Sequence, residues 1–580
     1  MRNTSRRMKI IAIALSLVMV AAMLGSVPVF AANDEQLEPA AALPRVSDEL
    51  EQAFYLTIRT TENNTTFQIP TSRSLNSTDD AKPYNWAIDW GDGATETRSG
   101  TSSLGGGIPH TYALAGVYTI AITPNGSLEA WLGAFGFGSI YDISADSNSQ
   151  SNKNLLIGAP SQITPQMTRT NAQIEGSEPA PNNEWEYTFS NCSNLVAAPV
   201  FAGWESISTV GDSFAKGLLF GCQNLAYLPN DFNLPQGLIE VGDSFASGMF
   251  HWCLSLTNLP AGFNLPQGLT EVGDYFASGM LYNCSRLTNL PAGFNLPQGL
   301  SKVGNSFASG MLSWCLGLTN LPAGFNLPQG LIEVGDSFAN GMFSTCQNLT
   351  LLPAGFNLPQ GLTEVGNRFA AHMLDDCQHL TNLPASFNLP QGLTEVGDDF
   401  AYGMFFWCFS LTNLPAGFNL PQGLTEVGLY FAGRMFYGAG SSVFQINDEF
   451  RFPASIPADT ADAFYQAFNL SDRAPVQNRS AASIIGECPV PADQRETFDS
   501  HFADIDYIAV NWGGGGQVKL IPGSGDLNGD GVVTMEEVVV ALQASVAAVG
   551  LTPEQLAVID MDFDGAITLT DVILMLQKTV

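Results

Sequence analysis

The chain has 580 residues, a net charge of −33, 13% charged and 45% hydrophobic residues. A chain so acidic repels nucleic-acid phosphate and anionic lipid, so neither is an expected partner. Its apolar fraction is too high for a disordered acidic tail, and its length predicts several folded domains.

Residues 1–31 read as an export signal. Arg2, Arg6, Arg7 and Lys9 form a basic head, an apolar run follows from Ile10 to Leu24, and Val29-Phe30-Ala31 is a small-residue cleavage pattern. The run is short for a membrane span and no second one follows, so no span is expected after cleavage. The expected location is secreted and extracellular. Residues 32–50 read as a polar linker.

Residues 51–128 read as a β-sandwich. Phe54–Thr60, Thr65–Ile69, Trp86–Trp90 and Val117–Thr123 alternate like short strands separated by turn residues. Asp92, between two glycines, is expected to bond turn backbone. The motifs DWGDG (89–93) and HTYALAGVYTIAIT (110–123) resemble a PKD-type immunoglobulin-like domain. That resemblance implies a spacer or weak binding module. Residues 129–183 are expected to lead in to the next region and cap it.

A 31-residue period fills residues 184–440. Cys222, Cys253, Cys284, Cys315, Cys346, Cys377 and Cys408 keep it, with Cys192 placed 30 before. The Phe214-to-Phe431 and Asn233-to-Asn419 series keep the same period. Such a period means stacked units that bury a continuous core only together. Phe276, Met280 and Cys284, at i, i+4 and i+8, predict one face of a short helix. LTNLP predicts a brief strand, and Gly268 and Gly273 mark turns. The expected fold is therefore an α/β solenoid of eight units, roughly 40 Å long if the units stack at sheet spacing. The Asn series should pair with loop backbone. The Cys series should be buried free thiols, since each would face two equal neighbours. Cys488 lies outside the series.

Variation concentrates beside the Cys, where Trp252, Tyr282, Trp314 and Trp407 stand with His251 and Phe406. Exposed aromatics are common contact residues, so these four are candidate ligand contacts. The alternative is packing against adjacent units. The unit L-x-x-L-P, L-x-x-V/I-G, x-F-A, x-x-C-x-x-L resembles the BspA-like leucine-rich repeats of bacterial surface proteins, with an added P-A-G-F-N-L-P-Q segment. That resemblance implies a curved solenoid for binding or adhesion at the bacterial exterior. The ligand, an extracellular protein or a glycan, stays open.

Residues 441–520 are expected to be a cap and linker. In 521–580, two twelve-residue loops begin at Asp526 and Asp560. Asp526, Asn528, Asp530 and Glu537, and likewise Asp560, Asp562, Asp564 and Asp571, occupy positions 1, 3, 5 and 12. Position 7, Val532 or Ala566, offers a backbone carbonyl, and position 9 is Thr534 or Thr568. With glycine at position 6, each loop suits one Ca2+ ion, two in all. An apolar helix is expected after each loop but not before, giving a small all-α loop-helix pair. This arrangement resembles a type I dockerin, which implies a cohesin domain on a scaffold protein as partner. By that resemblance Met535, Glu536, Leu569 and Thr570 are the contact positions. The sequence carries no HExxH, GxSxG or phosphate-cradling loop, so no enzyme activity is expected. The reading is a binding or adhesion protein; the alternative is an accessory component of a cellulosome-like polysaccharide-degrading complex.

Overall fold

The computed structural model describes residues 53–71, 82–103, 106–137, 149–439, 538–542, 559, 567 and 569–578. The expected export signal, the linker at 32–50, all of 441–520 and most of the two twelve-residue loops lie outside these residues.

The N-terminal part is β-rich. Strands β1 (Phe54–Thr60), β2 (Thr65–Pro70), β3 (Pro83–Asp89), β4 (Thr95–Thr101), β5 (Gly107–Tyr112), β6 (Gly116–Pro124) and β7 (Leu156–Gly158) form two sheets. One is ordered β4-β3-β6-β1-β7 and the other pairs β2 with β5. The four expected strands are present. Three were not predicted: β7 is only three residues long and falls in the stretch read as a lead-in, and the other two have plain reasons. β4 is an edge strand of almost wholly exposed polar residues, and β5 carries Pro109 in a strand that pairs on one side only. Apolar residues of both sheets meet: Phe54, Leu56 and Ile58 of β1, Phe67 and Ile69 of β2, and Ile120 and Ile122 of β6 are wholly buried.

The same core continues into the repeats. Phe135 lies 5.0 Å from Phe54 and 6.0 Å from Phe189, centroid to centroid. Arg169 and Glu184, both buried, form an ion pair of 2.6 Å. Thr168 Oγ donates to the same carboxylate, and Arg169 also donates to the Thr209 carbonyl and lies over the Trp204 ring. A buried charge pair needs such extra hydrogen bonds to offset desolvation.

From residue 184 to residue 439 the chain is a solenoid of stacked coils. Two-residue strands pair in parallel and in register with their counterparts 31 residues on: Glu271–Val272 with Lys302–Val303, then Glu333–Val334; Glu364–Val365 with Glu395–Val396, then Glu426–Val427. Two phenylalanine columns fill the interior. Phe245 to Phe276 and Phe276 to Phe307 stack at 5.5 and 5.7 Å, and Phe263 to Phe294 at 6.1 Å. These are favourable offset ring distances.

Two expectations about the coil are corrected. LTNLP contributes only isolated bridges, such as Asn258 to Asn289; the regular ladder lies at the Glu-Val segment, clear of prolines. The segment read as a helix is not one, and no described residue of 184–439 is helical. The solenoid is therefore a β-type stack and not the expected α/β one. Residues 244–253 form a ribbon of overlapping turns. Ser247, Met249, His251 and Cys253 donate their N–H to the carbonyl three residues back. The alternate residues Gly248, Phe250 and Trp252 donate instead to Ser278, Met280 and Tyr282 of the next coil at 2.8–2.9 Å. Ala246, Gly248 and Trp252 adopt positive φ at the third position of the turns closed by Ser247, Met249 and Cys253, as type II turns require, and Ser244, which opens the ribbon, is also at positive φ. In this ribbon, pairs of buried residues alternate with pairs of more exposed ones: Phe276-Ala277 in, Ser278-Gly279 out, Met280-Leu281 in. A period of four produces the i, i+4, i+8 spacing of an amphipathic helix, and that is why the pattern misled.

Candidate binding surface

Every coil lays the same residue types in columns, so the surface is a set of ladders. The Asn series behaves as expected. Asn264 Oδ1 accepts the N–H of Leu265 and of Asn295 in the next coil, both at 2.9 Å, while its Nδ2 donates to Gly293 O at 3.0 Å. Gln267 Nε2 adds bonds to Leu265 O and Asn295 O. A second ladder was not singled out from the sequence. Asp212, Asp243, Asp274, Asn305, Asp336, Asn367 and Asp398 each accept the N–H of the next member or, at the end, of Leu429. Oδ1 carries this ladder, so Asp and Asn interchange as acceptors, while Asn305 and Asn367 also donate Nδ2 to Oδ2 of Asp274 and Asp336. The sequence signal was present as a 31-residue series of Asp or Asn after Val-Gly.

The eight described cysteines, Cys192 to Cys408, are free and buried. Cys284 Sγ donates to the Phe250 carbonyl at 3.2 Å, and the later members repeat the bond. Burial pushes the thiols of Cys192, Cys253 and Cys346 up to about 12, which leaves them neutral and unreactive. Cys488 lies outside the described residues.

Beside the cysteines run two columns, mostly half-exposed, in which Ser313, Thr345 and Tyr437 are buried. The first holds Phe220, His251, Tyr282, Ser313, Ser344, Asp375, Phe406 and Tyr437. Phe220, His251 and Tyr282 stack face to face at 4.8 and 4.4 Å. Enclosure between the two rings lowers His251 to about 4, because burial disfavours its charged form. Asp375 is raised by burial, against the opposing effect of its 2.9 Å contact with His372.

The second column holds Gly221, Trp252, Asn283, Trp314, Thr345, Asp376, Trp407 and Gly438, all at positive φ. Trp252 is 36% exposed and Trp314 44%. Trp407 is half-buried, 4.6 Å from the Phe406 ring. Of the four candidate contacts, Trp314 stands out at the surface and Trp252 less so, its ring lying 5.9 Å from Phe220 and 5.7 Å from His251, while Tyr282 and Trp407 are partly taken up by ring packing.

On the sheet side, Glu333, Glu364, Glu395 and Glu426 line one shallow groove in successive coils. Lys302 Nζ meets Glu333 at 2.6 Å.

In the N-terminal region Asp92 Oδ1 accepts the Ala94 N–H at 3.0 Å, the turn role expected of it. Its other oxygen meets His110 Nε2 at 2.8 Å, and His110 stacks on Trp90.

Of the expected calcium ligands, only Asp571 is described. It is wholly buried, in the first turn of the helix Leu569–Lys578. Residues 538–542 are also helical. Asp526, Asn528, Asp530, Val532, Thr534, Glu537, Asp560, Asp562, Asp564, Ala566 and Thr568, with the partner positions Met535 and Glu536, lie outside the described residues; Leu569 and Thr570 begin the helix. Among the described residues no three His, Cys, Asp or Glu side chains converge to hold a metal, and no helix is long and apolar enough to cross a membrane.

These features define a repeat protein whose leucine-rich units stack into a solenoid with laddered faces. No family model matches the chain, and no curated protein matches it. Among solved structures, a leucine-rich repeat protein from Bacteroides ovatus is similar at 20% identity, over 45% of this chain and 75% of that one, with a TM-score of 0.18.

Proposed function

We propose that the chain is a secreted, non-catalytic binding or adhesion protein of the BspA-like kind. In this reading a PKD-like, immunoglobulin-like domain precedes a solenoid that binds an extracellular ligand. A C-terminal dockerin-like module then attaches the protein to a cohesin-bearing scaffold at the cell surface. The observation that carries the binding role is the pair of tryptophans, Trp252 and Trp314, held outward on a rigid ladder at backbone positions where glycine is easier.

The docking role rests on the two loop sequences. Asp526, Asn528, Asp530 and Glu537, and Asp560, Asp562, Asp564 and Asp571, would hold one Ca2+ ion each, with carbonyls of Val532 and Ala566 completing the oxygen set. Asp571, at position 12 of the second loop, lies in the first turn of the helix Leu569–Lys578, where the loop-helix reading expects it. A fragment of about 56 residues has a small core, so the ions would supply much of its folding free energy.

The test is capture of the full chain by an array of cohesin domains with calcium and with chelator. Capture in calcium alone, lost in Asp526→Ala/Asp560→Ala, is expected. Substitution of Met535, Glu536, Leu569 and Thr570 should change which cohesin binds while calcium uptake persists. Equal capture in chelator would sink the docking role. An accessory role in a polysaccharide-degrading complex is the second reading, and the same dockerin-like loops support it.

A further inference from the structure

We propose that Trp252, Asn283 and Trp314 form a binding site for a neutral, ribbon-like glycan of the β-1,4-linked class, lying along the stacking direction. The inference rests on reading the solenoid as an extracellular binding element, and it names the ligand class.

The three residues occupy one column in three successive coils, at φ 63°, 55° and 63°. Sharing register and backbone conformation, their Cα–Cβ bonds leave the surface in one direction, with the Trp252 ring supported by Phe220 and His251. The left-handed conformation is disfavoured for L-residues other than Gly, Asn and Asp. Gly221, Asn283 and Gly438 meet that demand. Tryptophan does not, and packing does not explain it at Trp314. That ring is 44% exposed, with no ring contact and no side-chain hydrogen bond among the described residues. The turn ribbon itself requires positive φ, at Ser244 and Ala246 as well, so what marks Trp314 is a large exposed aromatic placed at such a position.

Spacing and charge then select the ligand. Coils repeat at sheet spacing, so the two indoles stand roughly 10 Å apart. In a flat β-1,4-linked chain alternate sugars present the same C–H face, at a repeat close to this separation. Each indole would take one such face. The Asn283 amide, between them and not engaged in a hydrogen bond among the described residues, would bond hydroxyls of the intervening sugar. Asp376 lies further along the column and the chain carries −33, so an anionic polysaccharide is repelled where a neutral one is not.

The experiment titrates the full chain with neutral β-1,4-linked oligosaccharides (gluco, manno, xylo and N-acetylglucosamine series), following tryptophan fluorescence and calorimetry. An α-linked glucan and polygalacturonate are comparison arms. Trp252→Asn and Trp314→Asn place in the column a residue it already accepts, so thermal unfolding should be unchanged or shifted upward. Each should weaken binding by roughly tenfold, and the double variant more. Affinity should rise with chain length until both indoles are spanned. The proposal is overturned if no neutral β-1,4 glycan binds, if the variants bind like the parent, or if polygalacturonate or only a protein bait is preferred. Calcium-dependent capture by cohesins needs no glycan, so failure here leaves the docking reading to its own test.

Discussion

Replacing Asn326 separates the two ladders by chemistry. Its Oδ1 accepts the N–H of Leu327 and of Asn357 at 2.9 and 3.0 Å, and its Nδ2 donates to Gly355 O at 3.0 Å. Asn326→Ala removes all three bonds and leaves two amides and a carbonyl of a half-buried turn without partners. At about 1 kcal/mol per bond, with a further penalty for groups that water does not reach, the local cost is about 3–4 kcal/mol. Asn326→Asp retains both N–H acceptors but loses the donor and sets a carboxylate oxygen against the Gly355 carbonyl. Its expected cost is about 1–2 kcal/mol at neutral pH. That cost should shrink in acid, where a protonated oxygen can donate. The equivalent swap in the other ladder, Asn305→Asp, keeps the acceptor for the Asp336 N–H and loses only an exposed Nδ2 bond to Asp274, and adjacent aspartates already occur there at Asp243 and Asp274, so it should be milder. Solenoids do not unfold in a two-state manner, so the measurement is hydrogen exchange of peptides covering residues 320–360. If Asn326→Asp costs as much as Asn326→Ala, or if Ala costs under about 0.5 kcal/mol, the ladder does not act as described.

His251 predicts a pH dependence of its coil. With the folded value lowered to about 4 from 6.5, the unfolded chain binds the extra proton between these values, so stability is complete above about pH 6.5 and falls as pH drops towards 4. Exchange around residues 245–255 should therefore quicken over that window, and in His251→Phe it should not. The buried thiols should resist labelling at pH 8 in the native protein and react in denaturant; rapid native labelling would contradict their burial. Arg169→Ala should destabilise the junction of the β-rich region and the first coil by about 3–5 kcal/mol, because Glu184 is left buried without its partner. The double variant Arg169→Ala/Glu184→Ala should recover part of that loss, and additive costs in thermal unfolding would argue against the pair.

The sequence by itself determined the register. A strict period of 31 places Phe276 over Phe245, Asn264 over Asn233 and Cys284 over Cys253, whatever the coil conformation, because only in-register stacking joins their apolar faces. It also showed β1, β2, β3 and β6 through alternation, and the two calcium-type loops as complete local motifs. Tertiary structure decided the rest, because those features are settled by the neighbouring coil and not by the chain's own pattern. The period-four face of Phe276, Met280 and Cys284 suits a helix equally well. It becomes a turn ribbon because half of its amides are bonded to the next coil, an interaction no local pattern encodes. The edge strand β4 has no buried face and hence no apolar signature. Which aromatics face solvent was likewise decided in three dimensions: Trp252 and Trp314 both directly precede a cysteine, yet Trp252 lies against Phe220 and His251 while Trp314 has no ring beside it among the described residues.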